Sequence, residues 1–202
     1  MKPRSSARDL ALIATFTGVV AALGVVPAFY PAGIPVPITA QSLGVMLAGA
    51  VIGARRGAAS LVLLLALVAV GLPLLAGGRG GLGVFAGPSV GYLVGYPVAA
   101  FVVGWITEKG GAPYRLSWGV VANLVGGIVV LYALGILGTA WRAHLSVPAA
   151  VASAGWYVVG DLAKVVIAAL VARGVHAAYP GLLPAATRRA DRDRRHEHPI
   201  ST

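Results

Sequence analysis

The chain has 202 residues, of which 58% are hydrophobic and only 11% charged. An ordinary soluble domain carries roughly 25% charged residues, so this composition excludes a soluble fold and predicts one all-α integral membrane protein. Cysteine is absent, which excludes disulfides and thiolate-based catalytic or metal sites. The net charge of +10 comes mainly from short loops and the tail, where basic residues act as topology signals, so no nucleic-acid partner is predicted.

Apolar runs separated by glycine, proline and charged residues predict six transmembrane helices. They lie near residues 9–28, 38–53, 57–76, 88–107, 117–139 and 158–177. The loop at 76–87 reads AGGRGGLGVFAG, and such irregular backbone is tolerated at membrane depth only where it lines a protein cavity. Residues 146–157 are predicted to form a separate short outer helix, because Gly160 offers a break before the last span.

The distribution of basic residues predicts the orientation of these spans. If both termini are cytoplasmic, thirteen of the sixteen Lys and Arg lie on the cytoplasmic side, and only Arg79 and Arg142 lie outside. This asymmetry is the positive-inside pattern, and it places the glycine-rich loops on the outer face of a multi-pass protein of the cell membrane. Residues 1–178 then form the transmembrane domain, and residues 179–202 form a basic cytoplasmic tail predicted to be disordered.

Asp161 and Lys164 are the charges left over inside the predicted membrane region. They are three residues apart, so both project from one helix face. A charge at bilayer depth costs at least about 2.5 kcal/mol and usually faces a cavity or another charge. The pair is therefore predicted to hold a small polar organic molecule in the outer half of the membrane. A structural ion pair that locks the last helix is the alternative.

Other residues are candidates for contacts with the ligand or with neighbouring helices. Tyr92 near the start of the fourth helix and Gln41 at the start of the second are predicted to line the pocket, with membrane anchoring and simple solvation as the alternatives. Asn123 is predicted to make an interhelical hydrogen bond. A stripe of small residues on the first helix would permit close approach of another helix, either within the protein or from a partner. This stripe consists of Ala14, Gly18 and Ala22.

Motifs for enzyme chemistry are missing from the sequence. Gly78, Gly80 and Gly83 match G-x-G-x-x-G, but no strand precedes them and no acidic residue follows at the required distance. Neither a phosphate-binding G-x-x-x-x-G-K-[ST] loop nor an H-E-x-x-H zinc motif occurs. No enzyme activity, no cofactor and no metal site are therefore predicted, and ATP hydrolysis would require another chain.

Three strings of this sequence together resemble a known family. They are VPITAQSLGVMLAGAVIGARRGAAS at 36–60, GLPLLAGGRGGLGVFAGPSVGYLVGYPVAAFVVG at 71–104, and GDLAK at 160–164. In this order and spacing they are similar to the BioY family, the biotin-binding S-component of energy-coupling-factor transporters. The resemblance extends from about residue 10 to residue 175.

The resemblance implies a six-helix protein that captures biotin from the outer face. By the same likeness, Asp161 and Lys164 match the residues that help to hold biotin, and Gly91 and Tyr92 match a Gly-Tyr pair near the pocket. The loops at 30–37 and 76–87 would close over the ligand, and Phe85 with Tyr92 would pack against its sulfur ring and chain.

The resemblance also implies partners and leaves alternatives open. Uptake in that family depends on a transmembrane coupling protein and two ATP-binding-cassette ATPases, and the stripe on the first helix resembles the surface offered to the coupling protein. The open alternatives are an S-component for another small vitamin, an ion-coupled secondary transporter, a membrane enzyme and a purely structural subunit.

Overall fold

The structure is a computed structural model that describes residues 6–30 and 35–182. Within these residues it is helical, with isolated β-bridges in place of strands, which confirms the all-α prediction. The α-helices are α1 (Ser6–Val25), α2 (Gln41–Ile52), α3 (Ala54–Ala69), α4 (Val90–Gly110), α5 (Leu116–Leu124), α6 (Leu131–Arg142) and α7 (Val147–Ala178). A π-helical turn at Val125–Val130 joins α5 to α6, and short 3₁₀ helices lie at Leu82–Ala86 and Pro180–Leu182.

Three helical stretches of the described chain are long and apolar enough to cross a membrane. They are Ala7–Val25, Val90–Gly110 and the continuous rod Leu116–Arg142. Three of the six predicted spans thus contain a helix of the required length and composition.

Helix α2 forms the centre of the bundle. Ten of its twelve residues are buried, and it packs against α1, α3, α4 and α7. Its end is a tight turn, since Gly53 has a φ of +84° and leads directly into α3. The Glu108 carboxylate of α4 accepts a hydrogen bond from the Ala54 backbone N–H at 2.8 Å. A side chain at Gly53 would collide with that carboxylate, so the turn requires glycine.

Two predicted helix boundaries were wrong. The third helix ends at Ala69 rather than at residue 76, because Gly71 adopts a φ of +110° and Pro73 has no N–H for a helical hydrogen bond. The segment 146–157 is the first part of α7 and not a separate helix. Ser146 caps α7 by accepting from the Ala149 N–H, and one glycine such as Gly160 costs a helix only about 1 kcal/mol.

Helix α7 is longer than a simple span requires. Its 32 residues extend over about 48 Å at 1.5 Å per residue, against about 30 Å of hydrocarbon. The tail predicted to be disordered lies outside the described residues from residue 183 onward.

Candidate functional site

Asp161 is the centre of a buried polar network. Its Oδ1 accepts from the Lys164 ammonium at 2.7 Å and from the Ser42 hydroxyl at 2.9 Å. Its Oδ2 accepts from the Tyr132 hydroxyl at 2.8 Å. Lys164 donates in addition to the Thr39 carbonyl at 2.7 Å and to Ser42 at 2.9 Å. The network joins the start of α2, the start of α6 and the middle of α7, and every charge in it is hydrogen-bonded.

The network forms one wall of a cavity at the end of the bundle that carries the 76–87 loop, which we call the cavity end. The empty space, counting the solvent at its open mouth, is about 570 Å³. Asp161 and Lys164 both line this cavity, as do Tyr92 and Gln41. The remaining lining residues are Val36, Pro37, Ile38, Thr39, Ser42, Leu75, Arg79, Ser89, Leu93, Tyr96, Leu131, Tyr132 and Tyr157.

Three tyrosines form an aromatic wall in the cavity. The rings of Tyr92, Tyr132 and Tyr157 meet edge to face in all three pairs, with centroids 6.0 to 6.4 Å apart. Such edge-to-face contacts stabilise a fixed arrangement of rings. The Tyr157 hydroxyl also donates to the Val36 carbonyl at 2.7 Å. Gly135 of α6 makes room for the Tyr92 ring, because a Cβ there would lie 2.3 Å from that ring.

Arg79 brings a second cation to the cavity. Its guanidinium donates to the Ala76 carbonyl at 3.1 Å and to the Ser89 hydroxyl at 3.4 Å. Asp161 is the carboxylate among the cavity-lining residues, whereas Arg79 and Lys164 are both cationic. The sequence interpretation treated Arg79 only as an outer-loop charge. The available signal was a lone arginine in a glycine-rich loop predicted to cover the pocket.

Gln41 lines the cavity, but its amide is already engaged. The side-chain Nε2 donates to the Val20 carbonyl at 3.2 Å and to the Leu74 carbonyl at 3.0 Å. The Oε1 accepts from the Ala76 backbone N–H at 3.0 Å. Gln41 is 1% exposed, and it ties α1 and the 72–76 segment to α2. Its main contribution is therefore to hold residues 72–76, which lead into the loop that carries Arg79.

Gly91 and Phe85 lie near the cavity without lining it. A Cβ on Gly91 would lie 2.2 Å from the Leu134 carbonyl oxygen and 2.8 Å from Gly138, so Gly91 is where α4 meets α6. Phe85, in the short 3₁₀ helix, is half-buried and packs against the apolar core. Tyr92, one residue after Gly91, is the member of the predicted Gly-Tyr pair that faces the cavity.

The predicted hydrogen bond of Asn123 was wrong. Its Nδ2 donates to the Gly119 carbonyl at 2.9 Å, one turn back in the same helix, instead of to a neighbouring helix. In an apolar helix the backbone carbonyl one turn earlier is the nearest acceptor for a short polar side chain.

The stripe on α1 is exposed. Ala14, Gly18 and Ala22 all lie on the surface of the bundle, and a Cβ on Gly18 would meet no atom within 4 Å. The stripe therefore does not serve packing among the described residues.

The described chain is an all-helical bundle with membrane-capable helices, and it has a charged, hydrogen-bonded cavity at one end. This is the architecture of a membrane-embedded protein that binds small molecules. A family model described as the BioY family matches residues 1–181. The chain belongs to this family, as the sequence resemblance predicted.

Curated relatives and a solved structure agree with this assignment. The chain is 49% identical over 186 residues to the biotin transporter BioY of Rhizobium etli, covering 89% of this chain and 98% of that protein. It is 50% identical over 187 residues to the biotin transporter BioY of Rhodobacter capsulatus, covering 87% and 97%. The crystal structure of the S-component for biotin from an ECF-type ABC transporter superposes with a TM-score of 0.81 at 26% identity, covering 88% and 95%. These relatives are transporter proteins, in agreement with the prediction that the chain is not an enzyme.

Proposed function

We propose that this chain is the biotin-binding S-component of an ECF-type uptake transporter. The observation that carries the proposal is the cavity, which the Asp161 network, the aromatic wall and Arg79 line together. Biotin has a ureido ring with N–H donors and a carbonyl acceptor, a sulfur-containing ring and a chain that ends in a carboxylate. Each of these parts has a complementary group in the cavity.

The ureido ring is assigned to the Asp161 network. A carboxylate that already accepts from Ser42 and Tyr132 is held in a fixed orientation, so it can accept from a ureido N–H without reorganising. The Lys164 ammonium directs its three N–H donors at Asp161, Thr39 and Ser42, so it donates to the ureido carbonyl by exchanging one of the two neutral acceptors for the ligand. A neutral ring leaves the balanced Asp161 and Lys164 charges undisturbed, whereas a ligand carboxylate at this place would lie beside Asp161 and be repelled.

The ligand carboxylate is assigned to Arg79. A guanidinium binds a carboxylate through two parallel hydrogen bonds, and the contacts of Arg79 are with neutral acceptors at 3.1 and 3.4 Å. A carboxylate is a stronger acceptor than either of them. Arg79 therefore supplies a cation that Asp161 does not already neutralise.

The sulfur ring is assigned to the aromatic wall. Tyr92, Tyr132 and Tyr157 present a partly apolar surface between the two polar ends of the cavity. Sulfur makes favourable contacts with aromatic rings, worth about 0.3 to 1.5 kcal/mol each. These contacts would favour a thioether ring over an open aliphatic chain.

The proposal includes six spans with cytoplasmic termini. Arg79 and Arg142, the two arginines that the charge distribution assigns to the outside, support this orientation. Arg79 lines the cavity, and Arg142 donates to the Ala86 carbonyl at 2.8 Å. Both therefore lie at the cavity end, which becomes the outer face. The spans would be α1, α2, α3, α4, the α5–α6 rod and α7.

A transmembrane coupling protein and two ATP-binding-cassette ATPases are the proposed partners. The sequence has no phosphate-binding loop of its own, so import against a gradient would need ATPase subunits. The exposed stripe of Ala14, Gly18 and Ala22 is the proposed contact with the coupling protein, since small side chains let helices in a membrane approach closely.

Ligand binding can be measured by equilibrium titration of the purified protein in detergent. Biotin is expected to bind with submicromolar affinity, and a panel of other vitamins is expected to bind far more weakly. If another vitamin binds more tightly than biotin, that vitamin is the ligand, and the assignment as an S-component still holds. Ion-gradient-driven uptake without any ATPase would instead favour a secondary transporter.

The orientation can be tested with biotinamide, in which a neutral amide replaces the carboxylate. Arg79→Gln is expected to weaken the binding of biotin by about tenfold or more, as for a lost charge-assisted hydrogen bond. The affinity for biotinamide is expected to stay nearly unchanged. Equal losses for both ligands would place the carboxylate elsewhere.

A further inference from the structure

The rod from Leu116 to Arg142 is interrupted by the π-turn at Val125–Val130. In a π-turn the backbone hydrogen bonds span five residues instead of four, so one extra residue is accommodated. Because an α-helix has 3.6 residues per turn, one extra residue rotates everything that follows by about 100° relative to an uninterrupted helix.

Buried residues continue along one side of the rod through this turn. Gly119, Ala122 and Asn123 are buried before it, Gly126 and Gly127 within it, and Leu131, Tyr132, Gly135 and Thr139 after it. Because the turn accommodates one extra residue, it sets which of the residues after it lie on this buried side.

Glycines bring the rod against α4 both within the turn and beyond it. A Cβ on Gly126 would lie 2.8 Å from the Val103 backbone nitrogen and 2.9 Å from the Ala99 carbonyl oxygen. Beyond the turn, a Cβ on Gly138 would lie 2.4 Å from the Gly91 Cα. The rod lies against the backbone of α4 at both places, so a rotation of the part beyond the turn would bring side chains into the α4 backbone.

The register beyond the turn decides which side chain faces Asp161. Tyr132 follows the first buried position after the turn, and its hydroxyl donates to Asp161 Oδ2 at 2.8 Å. In an uninterrupted helix anchored at Gly126, Leu131 would take this direction, and Tyr132 would turn away from Asp161 by about 100°. An apolar side chain would then face a buried carboxylate oxygen.

We propose that the π-turn at Val125–Val130 positions the ligand-binding carboxylate, by setting the register that lets Tyr132 hold Asp161. Tyr132 is thus a positioning residue: it acts on the ligand through Asp161. The inference rests on the proposed function, because biotin binding is its readout.

Tyr132→Phe tests the hydroxyl while keeping the ring in the aromatic wall. Biotin affinity is expected to fall by about tenfold, as for a lost hydrogen bond to a charged group. In a double-mutant cycle with Asp161→Asn, the second substitution is expected to cost little, because Tyr132 acts through Asp161. A merely structural role for Tyr132 would make the two losses multiply and would overturn the proposal. So would a Tyr132→Phe protein that binds biotin within twofold of the unmodified chain.

Deletion of Val129 tests the turn itself. Val129 is 64% exposed, so Val129→Ala is a matched control that removes most of the side chain and keeps the register. The control is expected to bind biotin normally, and the deletion is expected to lose at least as much affinity as Tyr132→Phe. A folded deletion protein that binds like the control would refute the role of the turn.

If the deletion protein does not fold, the Tyr132→Phe cycle decides alone. Failure of the unmodified protein to bind biotin would count against the proposed function. Normal binding by the unmodified protein together with normal binding by Tyr132→Phe would count only against this inference.

Discussion

Replacing Lys164 by methionine removes the ammonium and keeps most of the apolar stem. Lys164 Nζ donates to Asp161, Thr39 and Ser42 at 2.7, 2.7 and 2.9 Å. The side chains of Lys164 and Asp161 are only 16% and 7% exposed, so the pair is largely buried and solvent at the cavity mouth screens it only in part. Removing one partner of a buried ion pair typically costs about 3 to 5 kcal/mol. Because Ser42 and Tyr132 still donate to Asp161, a loss of stability of about 3 kcal/mol is expected.

The assay is reversible unfolding in mixed micelles, with the free energy of unfolding compared among the parent, Lys164→Met, Asp161→Asn and the double variant. The double variant leaves no uncompensated charge, so it is expected to recover most of the stability that Lys164→Met loses. It is nevertheless expected not to bind biotin. A Lys164→Met protein within about 0.5 kcal/mol of the parent would refute the buried-pair reasoning, since such a value is typical of an exposed pair.

Three further predictions concern residues outside the charged network. Gly91→Ala is expected to destabilise the protein by about 1 to 3 kcal/mol through overpacking of α4 on α6. Gly155→Ala, whose Cβ would meet nothing within 4 Å, is expected to raise stability by up to about 1 kcal/mol in the same thermal unfolding experiment, because alanine favours a helix more than glycine does. Gly18→Leu is expected not to lower stability or biotin affinity and to reduce co-purification with the coupling protein; unchanged co-purification would place that contact elsewhere. Phe85→Ala is expected to lower stability by about 2 kcal/mol, which is less than the cost of truncating a fully buried phenylalanine because this ring is half-buried. Biotin affinity is expected to change by less than threefold in a titration.

The charged part of the site could be predicted from the sequence because its signal is local. Asp161 and Lys164 are three residues apart in an apolar chain. The free-energy cost of placing charged side chains in a membrane marks them as candidate site residues from the sequence alone. Tyr92 was found through a short motif at a helix start. The position of α2 at the centre of the bundle was not predicted, because its apolar run differs little from the others.

The partners of Asp161 could not be predicted in this way. Ser42 is 119 residues away in the chain, and Tyr132 lies in an apolar helix with no polar neighbour to mark it. The direction of Tyr132 depends on one extra residue in a π-turn, which hydrophobic periodicity does not resolve. The position of Arg79 depends on the fold of a glycine-rich loop. Gln41 holds the start of this loop by accepting a hydrogen bond from the Ala76 N–H.

The continuous helix α7 shows a different limit of sequence reasoning. Gly160 suggested a break, because glycine weakens helices. The helical hydrogen bonds on both sides and the packing of α7 against α2, α5 and α6 outweigh that local cost. Tertiary contacts decide the conformation of a residue whose own preference is weak.

The most direct measurement is a biotin titration of three proteins in parallel: the unmodified chain, Asp161→Asn and Leu162→Ala. Leu162 adjoins Asp161 on α7 but is 45% exposed, so its substitution controls for changes to the helix. The unmodified chain and Leu162→Ala are expected to bind biotin with equal, submicromolar affinity, and Asp161→Asn is expected to bind at least about tenfold more weakly. A folded, unmodified chain that does not bind biotin, or an Asp161→Asn protein that binds as tightly as Leu162→Ala, would contradict the account.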